Sequence, residues 1–156
     1  MITPEIFSRV KKKLNKINFL EDYSFFIDGF ILRNTSPQGA FVSINLDKKS
    51  KLKKFLKSNM PREMISLPKS YIDMYIRPDQ NYIEIRNIRL KQGALEKKGY
   101  SKKLVNIAEE IAREEGIGNL CVFYCSNESF WNYLNFEKRN DSKYFVDEYW
   151  IKELKE

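Results

Sequence analysis

Between residues 99 and 116 the apolar positions Leu104, Ile107, Ala108, Ile111 and Ala112 fall at the i, i+3, i+4, i+7, i+8 spacing, with Asn106, Glu109, Glu110 and Arg113 opposite. That single stripe predicts a long helix that lays one face on a sheet and ends at Gly116. Apolar, β-branched runs flank it: "NYIEIRNIRL" at 81–90 before it and "NLCVFY" at 119–124 after it. Strand, helix and strand in that order form a crossover unit, which makes the two strands parallel members of one sheet.

Upstream the pattern changes. "SFFIDGFILR" (24–33) and "AFVSINL" (40–46) surround the turn-rich "NTSPQG" and predict an antiparallel hairpin. "SYIDMYIR" (70–77) and "NYIEIRNIRL" surround "PDQ" and predict a second. Thr3-Pro4 reads as an N-cap followed by proline at the first helical position, with Ile6, Val10, Leu14 and Ile17 on one face to about Asn18. Residues 48–58, with Leu52, Phe55 and Leu56, predict a basic amphipathic helix, and 59–69, with Pro61 and Pro68, an irregular stretch. A short helix follows the crossover, and "KYFVDEYWIKEL" (143–154) reads as a terminal strand. The fold class expected from this order is α+β, a mixed, partly parallel central sheet flanked by helices. With 156 residues, 42% of them hydrophobic, and no repeat or Gly/Ser linker, a single domain over 1–156 is expected.

Histidine is absent and the cysteines number two, which excludes Ser-His-Asp and Cys-His catalysis and histidine-based zinc sites. Cys121 and Cys125, four apart in a predicted strand, are too distant to bridge and read as buried free thiols. No apolar run approaches the ~20 residues of a membrane-spanning helix. Met1 to Leu20 is charged and amphipathic rather than signal-like, so a cytoplasmic location without a membrane partner is expected. A formal charge of +7 suits an anionic partner such as nucleic acid, a phosphorylated cofactor or an acidic protein. The lysine clusters at 11–13, 48–49 and 51–54 lie on predicted helices and read as solvated faces.

The start of the long helix is chemically unusual. Lys97, Lys98, Lys102 and Lys103 surround Gly99 where the helix macrodipole is already positive, an arrangement unfavourable by ~0.3–1 kcal/mol per charge. Free backbone N–H groups beside a glycine form an anion site suited to phosphate. Neither GxxxxGK[ST] nor GxGxxG is present.

"NIRL" (87–90) followed by "EKKGYS" (96–101) resembles the strand and [QR]xxGx[GA] loop of the GNAT N-acyltransferases. Gly99 matches the central glycine and Ser101 stands for the last small residue; Glu96 and Lys97 depart from the pattern. "NLCVFYCSNESFWNYLNFEKR" (119–139) is similar to the family's fifth strand, short helix and "YxxxGF" ending, with Trp131 at the usual tyrosine, Asn135 at the glycine and Phe136 matching. The resemblance implies acetyl-CoA as co-substrate. Its pyrophosphate would lie on the amides of Lys98, Gly99, Tyr100 and Ser101 with Lys97 beside them, and Lys102 or Lys103 would contact an adenosine phosphate. Its pantetheine would lie along Ile88, Arg89 and Leu90, with Asn127 and Trp131 as further contacts.

The same resemblance implies transfer of the acetyl group to a primary amine by direct attack. Glu84 is the candidate base, the competing reading being a strand glutamate paired with Arg86 or Arg77. Trp131 has no ionisable group, so Tyr124 and Tyr133 become the candidate acids, with Cys125 behind them. Asn127 reads equally as the cap of the short helix, and Trp131 as a packing residue. The basic surface favours an acidic macromolecular acceptor, such as a charged tRNA or a protein. Two other readings are a GNAT-fold module without catalysis that binds a protein or nucleic acid, and a nucleic-acid protein of unrelated fold.

Overall fold

A computed structural model describes residues 2–17, 23–48, 70–90 and 99–154. The amphipathic stripe of the first segment forms helix α1 (Glu5–Leu14), which buries Ile6, Val10 and Leu14. Pro4 already has helical dihedrals, and no side chain caps the helix. The expected Thr3 cap is a backbone one, in which Ile6 N–H donates to the Thr3 carbonyl at 3.0 Å.

Strands β1 (Tyr23–Leu32) and β2 (Gly39–Lys48) form the first hairpin; β3 (Ser70–Arg77) and β4 (Tyr82–Leu90) form the second, around the 3₁₀ turn Pro78–Gln80. Helix α2 (Tyr100–Glu114) crosses over to β5 (Asn119–Val122), followed by helix α3 (Glu128–Tyr133), β6 (Glu137–Arg139) and β7 (Tyr149–Glu153). The sheet order is β1-β2-β3-β4-β5-β7-β6, antiparallel throughout except for the parallel β4/β5 pair. This is the mixed sheet that the strand-helix-strand pattern requires. The predicted helix over 48–58 lies outside the described residues.

Alternation sends Val42, Ile44, Ile72, Met74, Ile83, Ile85 and Leu120 to one face of the sheet, where they join the α1 and α2 stripes in a single core. At Gly29, with φ of 153°, an added Cβ would stand 2.1 Å from the Phe41 carbonyl oxygen, so only glycine lets β1 approach β2 there.

Three expectations are corrected. Lys13 is not solvated: it pairs with Glu114 at 2.5 Å and Glu110 at 3.3 Å, Arg9 reaches Glu114 and Glu115, and the basic side of α1 thereby docks on the acidic side of α2. Carboxylate hydrogen bonds hold the Lys13 ammonium above its ordinary pKa. Cys125 is not in a strand, because β5 ends at Val122. The terminal strand is only Tyr149–Glu153; residues 140–148 instead form an irregular arm. Tyr144 and Val146 of that arm pack on Tyr82, Cys121, Phe123, Tyr149 and Ile151, a second cluster on the far face of the sheet. Covering that apolar patch outweighs extending a two-residue-period strand.

Candidate active site

The β4/β5 pair is short. Tyr82, Ile83 and Glu84 pair with Asn119, Leu120 and Cys121, and beyond Glu84 no described strand lies against that edge of β4, so the two strands form a fork. Its physical origin is on the other edge. Asp73 pairs with Asn87 and Met74 with Ile85, which leaves Arg86 as an extra residue in β4. A bulge of this kind bends its strand and increases the local twist, carrying residues 87–90 away from the β5 direction.

Glu84 stands at the closed end of the fork and is 4% exposed. Its Oε2 accepts from Arg86 Nε at 3.3 Å. Burial raises the Glu84 pKa above the usual carboxylate value, against the opposing pull of Arg86. Arg77, the other partner considered, is held instead by Asp79 through two bonds of 3.0 and 2.8 Å. The Arg86 guanidinium carbon lies 5.0 Å from the Tyr75 ring centroid and 5.6 Å from that of Tyr124. One cation therefore links the candidate base to one of the two candidate acids. Tyr124 is 58% exposed.

The open end of the fork faces the start of α2. The helix ends at Glu114, shortly before β5 begins at Asn119 beside Tyr82 of β4, so its first turn lies toward the C-terminal end of β4. Gly99 precedes that turn with φ of 70° and no side-chain cap, and a Cβ there would meet nothing within 4 Å among the described residues. A left-handed residue ahead of a helix start that lacks a side-chain cap suits a phosphate cradle. Tyr100 beside it is 3% exposed and joins the core, which anchors the turn. Ile88 is half-buried on the β4 edge.

No protein-family profile matches this sequence, and no curated protein does. Solved structures do match. An acetyltransferase of the GNAT family from Staphylococcus aureus Mu50 matches with a TM-score of 0.50 and 14% identity, over 75% of this chain and 68% of its own. The chain has the GNAT fold. The PaiA N-acetyltransferase of Thermoplasma acidophilum, solved in complex with coenzyme A, matches with a TM-score of 0.49 and 17% identity, over 73% of this chain and 61% of its own. The GNAT fold sets aside the reading as a nucleic-acid protein of unrelated architecture.

Within this GNAT fold the remaining expected site residues divide into groups. Lys97 and Lys98 lie outside the described residues, as do the side chains of Arg89 and Leu90, whose backbones belong to β4. Ser101 is half-buried in the first turn of α2. Lys102 Nζ is 5.5 Å from the Tyr133 ring centroid, and Tyr133 is 70% exposed. Tyr133 thus belongs to the helix-start end of the fork, whereas Tyr124 shares Arg86 with Glu84. Lys103 Nζ lies 5.4 Å from the Tyr100 ring, the side of α2 toward α1.

Asn127 is a helix cap: its Oδ1 accepts from Phe130 N–H at 3.3 Å and from Ser129 Oγ at 2.9 Å. Trp131 is 3% exposed and packs edge-on against Phe130 and Phe136, so its ring fills the core. Asn135, at the family glycine, has φ of 68°. Phe136 N–H donates to the Trp131 carbonyl and Asn135 N–H to that of Asn132, the paired bonds of a Schellman motif closing α3. Asparagine is the side chain that best tolerates this backbone, which explains its presence there.

The cysteines differ in reactivity. Burial pushes the Cys121 thiol up to about 12, while Cys125 is partly exposed. Titration of the native protein with a disulfide reagent is expected to modify Cys125 within minutes and Cys121 only after denaturation; equal rates for the two thiols would contradict this packing.

Sequence reasoning missed Arg86 as more than a partner of Glu84. Nothing marks a bulge in "EIRNI", which holds no glycine or proline and carries two strong strand formers, Ile85 and Ile88.

Proposed function

We propose that this protein is an N-acetyltransferase that moves an acetyl group from acetyl-CoA to a primary amine by direct attack in a ternary complex. The observation that carries this reading is the fork: a strand edge that no other described strand pairs with from Ile85 onward, a buried carboxylate at its closed end, and, at the other, a helix start without a side-chain cap where a Cβ at Gly99 would meet no described atom within 4 Å. The free β4 edge at residues 88–90 offers backbone N–H and C=O groups to the pantetheine amides. The first-turn amides from Gly99 to Ser101 take the pyrophosphate, with Lys102 beside them. The GNAT fold supports the same placement.

The chemistry then falls to the groups at the closed end. Glu84 takes the proton that the attacking amine must lose, and its raised pKa makes it a better base than an ordinary carboxylate. As the C–N bond forms and the C–S bond breaks, the departing thiolate takes the Tyr124 proton. Arg86, between the two, stabilises negative charge at both. Incubating the protein with acetyl-CoA and a panel of amines tests the reading. Amine-dependent release of CoA thiol, together with an acetylated product by mass, is expected. Tight acetyl-CoA binding with no turnover at any protein concentration would leave only a binding module.

A further inference from the structure

Ring contacts run across the sheet and end at the Glu84–Arg86 pair. Phe30 on β1 meets Phe41 on β2 with centroids 5.3 Å apart, and Phe41 meets Tyr75 on β3 at 4.8 Å. Arg86 then lies against Tyr75, and on its other contact against Tyr124. Phe30 is 54% exposed, so the far end of this aromatic track opens to solvent. The Arg86 side chain is 40% exposed where that of Glu84 is 6%. Among the described residues Glu84 is its hydrogen-bonding partner, through Nε alone, and a guanidinium carries five N–H donors in a rigid fork.

A fixed cation touching the base restricts what can be acetylated. An acceptor arriving as a bare ammonium brings like charge beside Arg86, whereas one carrying its own anion replaces repulsion by a charge-assisted pair. Because Arg86 Nε and Glu84 Oε2 are 3.3 Å apart, the amine and the anion must be neighbours in the acceptor too. We propose that the acceptor is a free α-amino acid with a flat apolar side chain: its amine at Glu84, its carboxylate on the Arg86 guanidinium, and its side chain along Tyr75 and Phe41. This rests on the acyl-transfer reading of the fork and names the acceptor class for that site. The atoms balance as in the transfer already described, the carboxylate being bound and unchanged.

L-Phenylalanine and phenethylamine, which differ by the carboxylate, are the probes. In an acetyl-CoA assay L-phenylalanine is expected to exceed phenethylamine in kcat/KM by roughly 10- to 100-fold, the worth of hydrogen bonds to a charged group. Arg86→Gln is expected to collapse that ratio toward unity whatever it does to the absolute rates, and Arg86→Lys, which keeps the charge, to retain part of it. A wild-type ratio near one, or a ratio that Arg86→Gln leaves unchanged, overturns the proposal while leaving acyl transfer intact. If acetyl-CoA does not bind, the acyl-transfer reading fails separately. Calorimetric titration of L-phenylalanine into wild type and Arg86→Gln then decides the acceptor site: binding lost in the variant supports it, and no binding to the wild type defeats it.

Discussion

Glu84→Gln is expected to lower kcat by about 10²- to 10⁴-fold, the usual contribution of a positioned general base, while the variant stays folded and is at least as stable as the wild type at pH 7. The two halves come from one fact, a carboxylate 4% exposed. Burial raises its pKa in the folded state, so between the ordinary value of 4.5 and the raised one the native protein holds a proton that the unfolded chain has released. Below that window the group contributes nothing to the pH dependence; as pH rises through it, wild-type stability falls and stays lower above it. Glutamine, of the same shape, carries no charge to desolvate, and its stability advantage is expected to grow with pH across the same window. Activity runs the opposite way: the acid limb of kcat/KM, set by Glu84 losing its proton, lies above pH 4.5 in the wild type. Thermal melts and pH–rate profiles of both proteins check this. A Glu84→Gln enzyme with wild-type kcat would remove Glu84 from the chemistry.

Trp131→Ala carries the largest expected cost in stability. The indole is 3% exposed and wedged edge-on between Phe130 and Phe136, at ring-centroid distances of 4.9 and 5.0 Å. Truncating a buried tryptophan costs about 3–5 kcal/mol, which for a chain of this size lowers Tm by roughly 6–20 °C. Trp131→Phe keeps most of the packing and is expected to lose far less. The affinity of Trp131→Phe for acetyl-CoA separates packing from ligand contact: it stays at the wild-type value if the ring serves only the core, and a tenfold loss in this folded variant would return Trp131 to the binding site.

Periodicity made the scaffold legible before any coordinates. The 3.6-residue stripe from Leu104 to Ala112 and the alternation in β3 each follow from one face being buried, and β4, buried on both faces over residues 82–85, shows as an apolar run between turn residues, which is why these elements sit within a residue or two of their expected bounds. The arm at 140–148 was not legible, because Tyr144, Phe145 and Val146 form an apolar, strand-favouring run whether they pair in a sheet or fold over Tyr82 and Phe123. Glu84 could be singled out as a carboxylate in an apolar strand. The cation linking it to Tyr124 depends on a bulge at Arg86 and on where a loop turns after Val122, neither of which leaves a period in the sequence. In the first helix the lysine run misled only at Lys13, whose charge marks a helix-helix contact, while Lys11 and Lys12 beside it are exposed as expected.

The claim on which the rest depends is that the fork and the uncapped start of α2 hold acetyl-CoA. Isothermal titration of acetyl-CoA into the wild type and into Gly99→Trp tests it most directly. A Cβ at Gly99 meets no described atom within 4 Å, so the substitution forces an L-residue into the left-handed region at a cost of ~1–2 kcal/mol, while the indole would occupy the place proposed for the pyrophosphate. Saturable one-site binding by the wild type, weakened at least tenfold in a folded Gly99→Trp protein, is the predicted result; a wild type that gives no heat and retains no acetyl-CoA, or a variant that binds it equally well, would contradict the account.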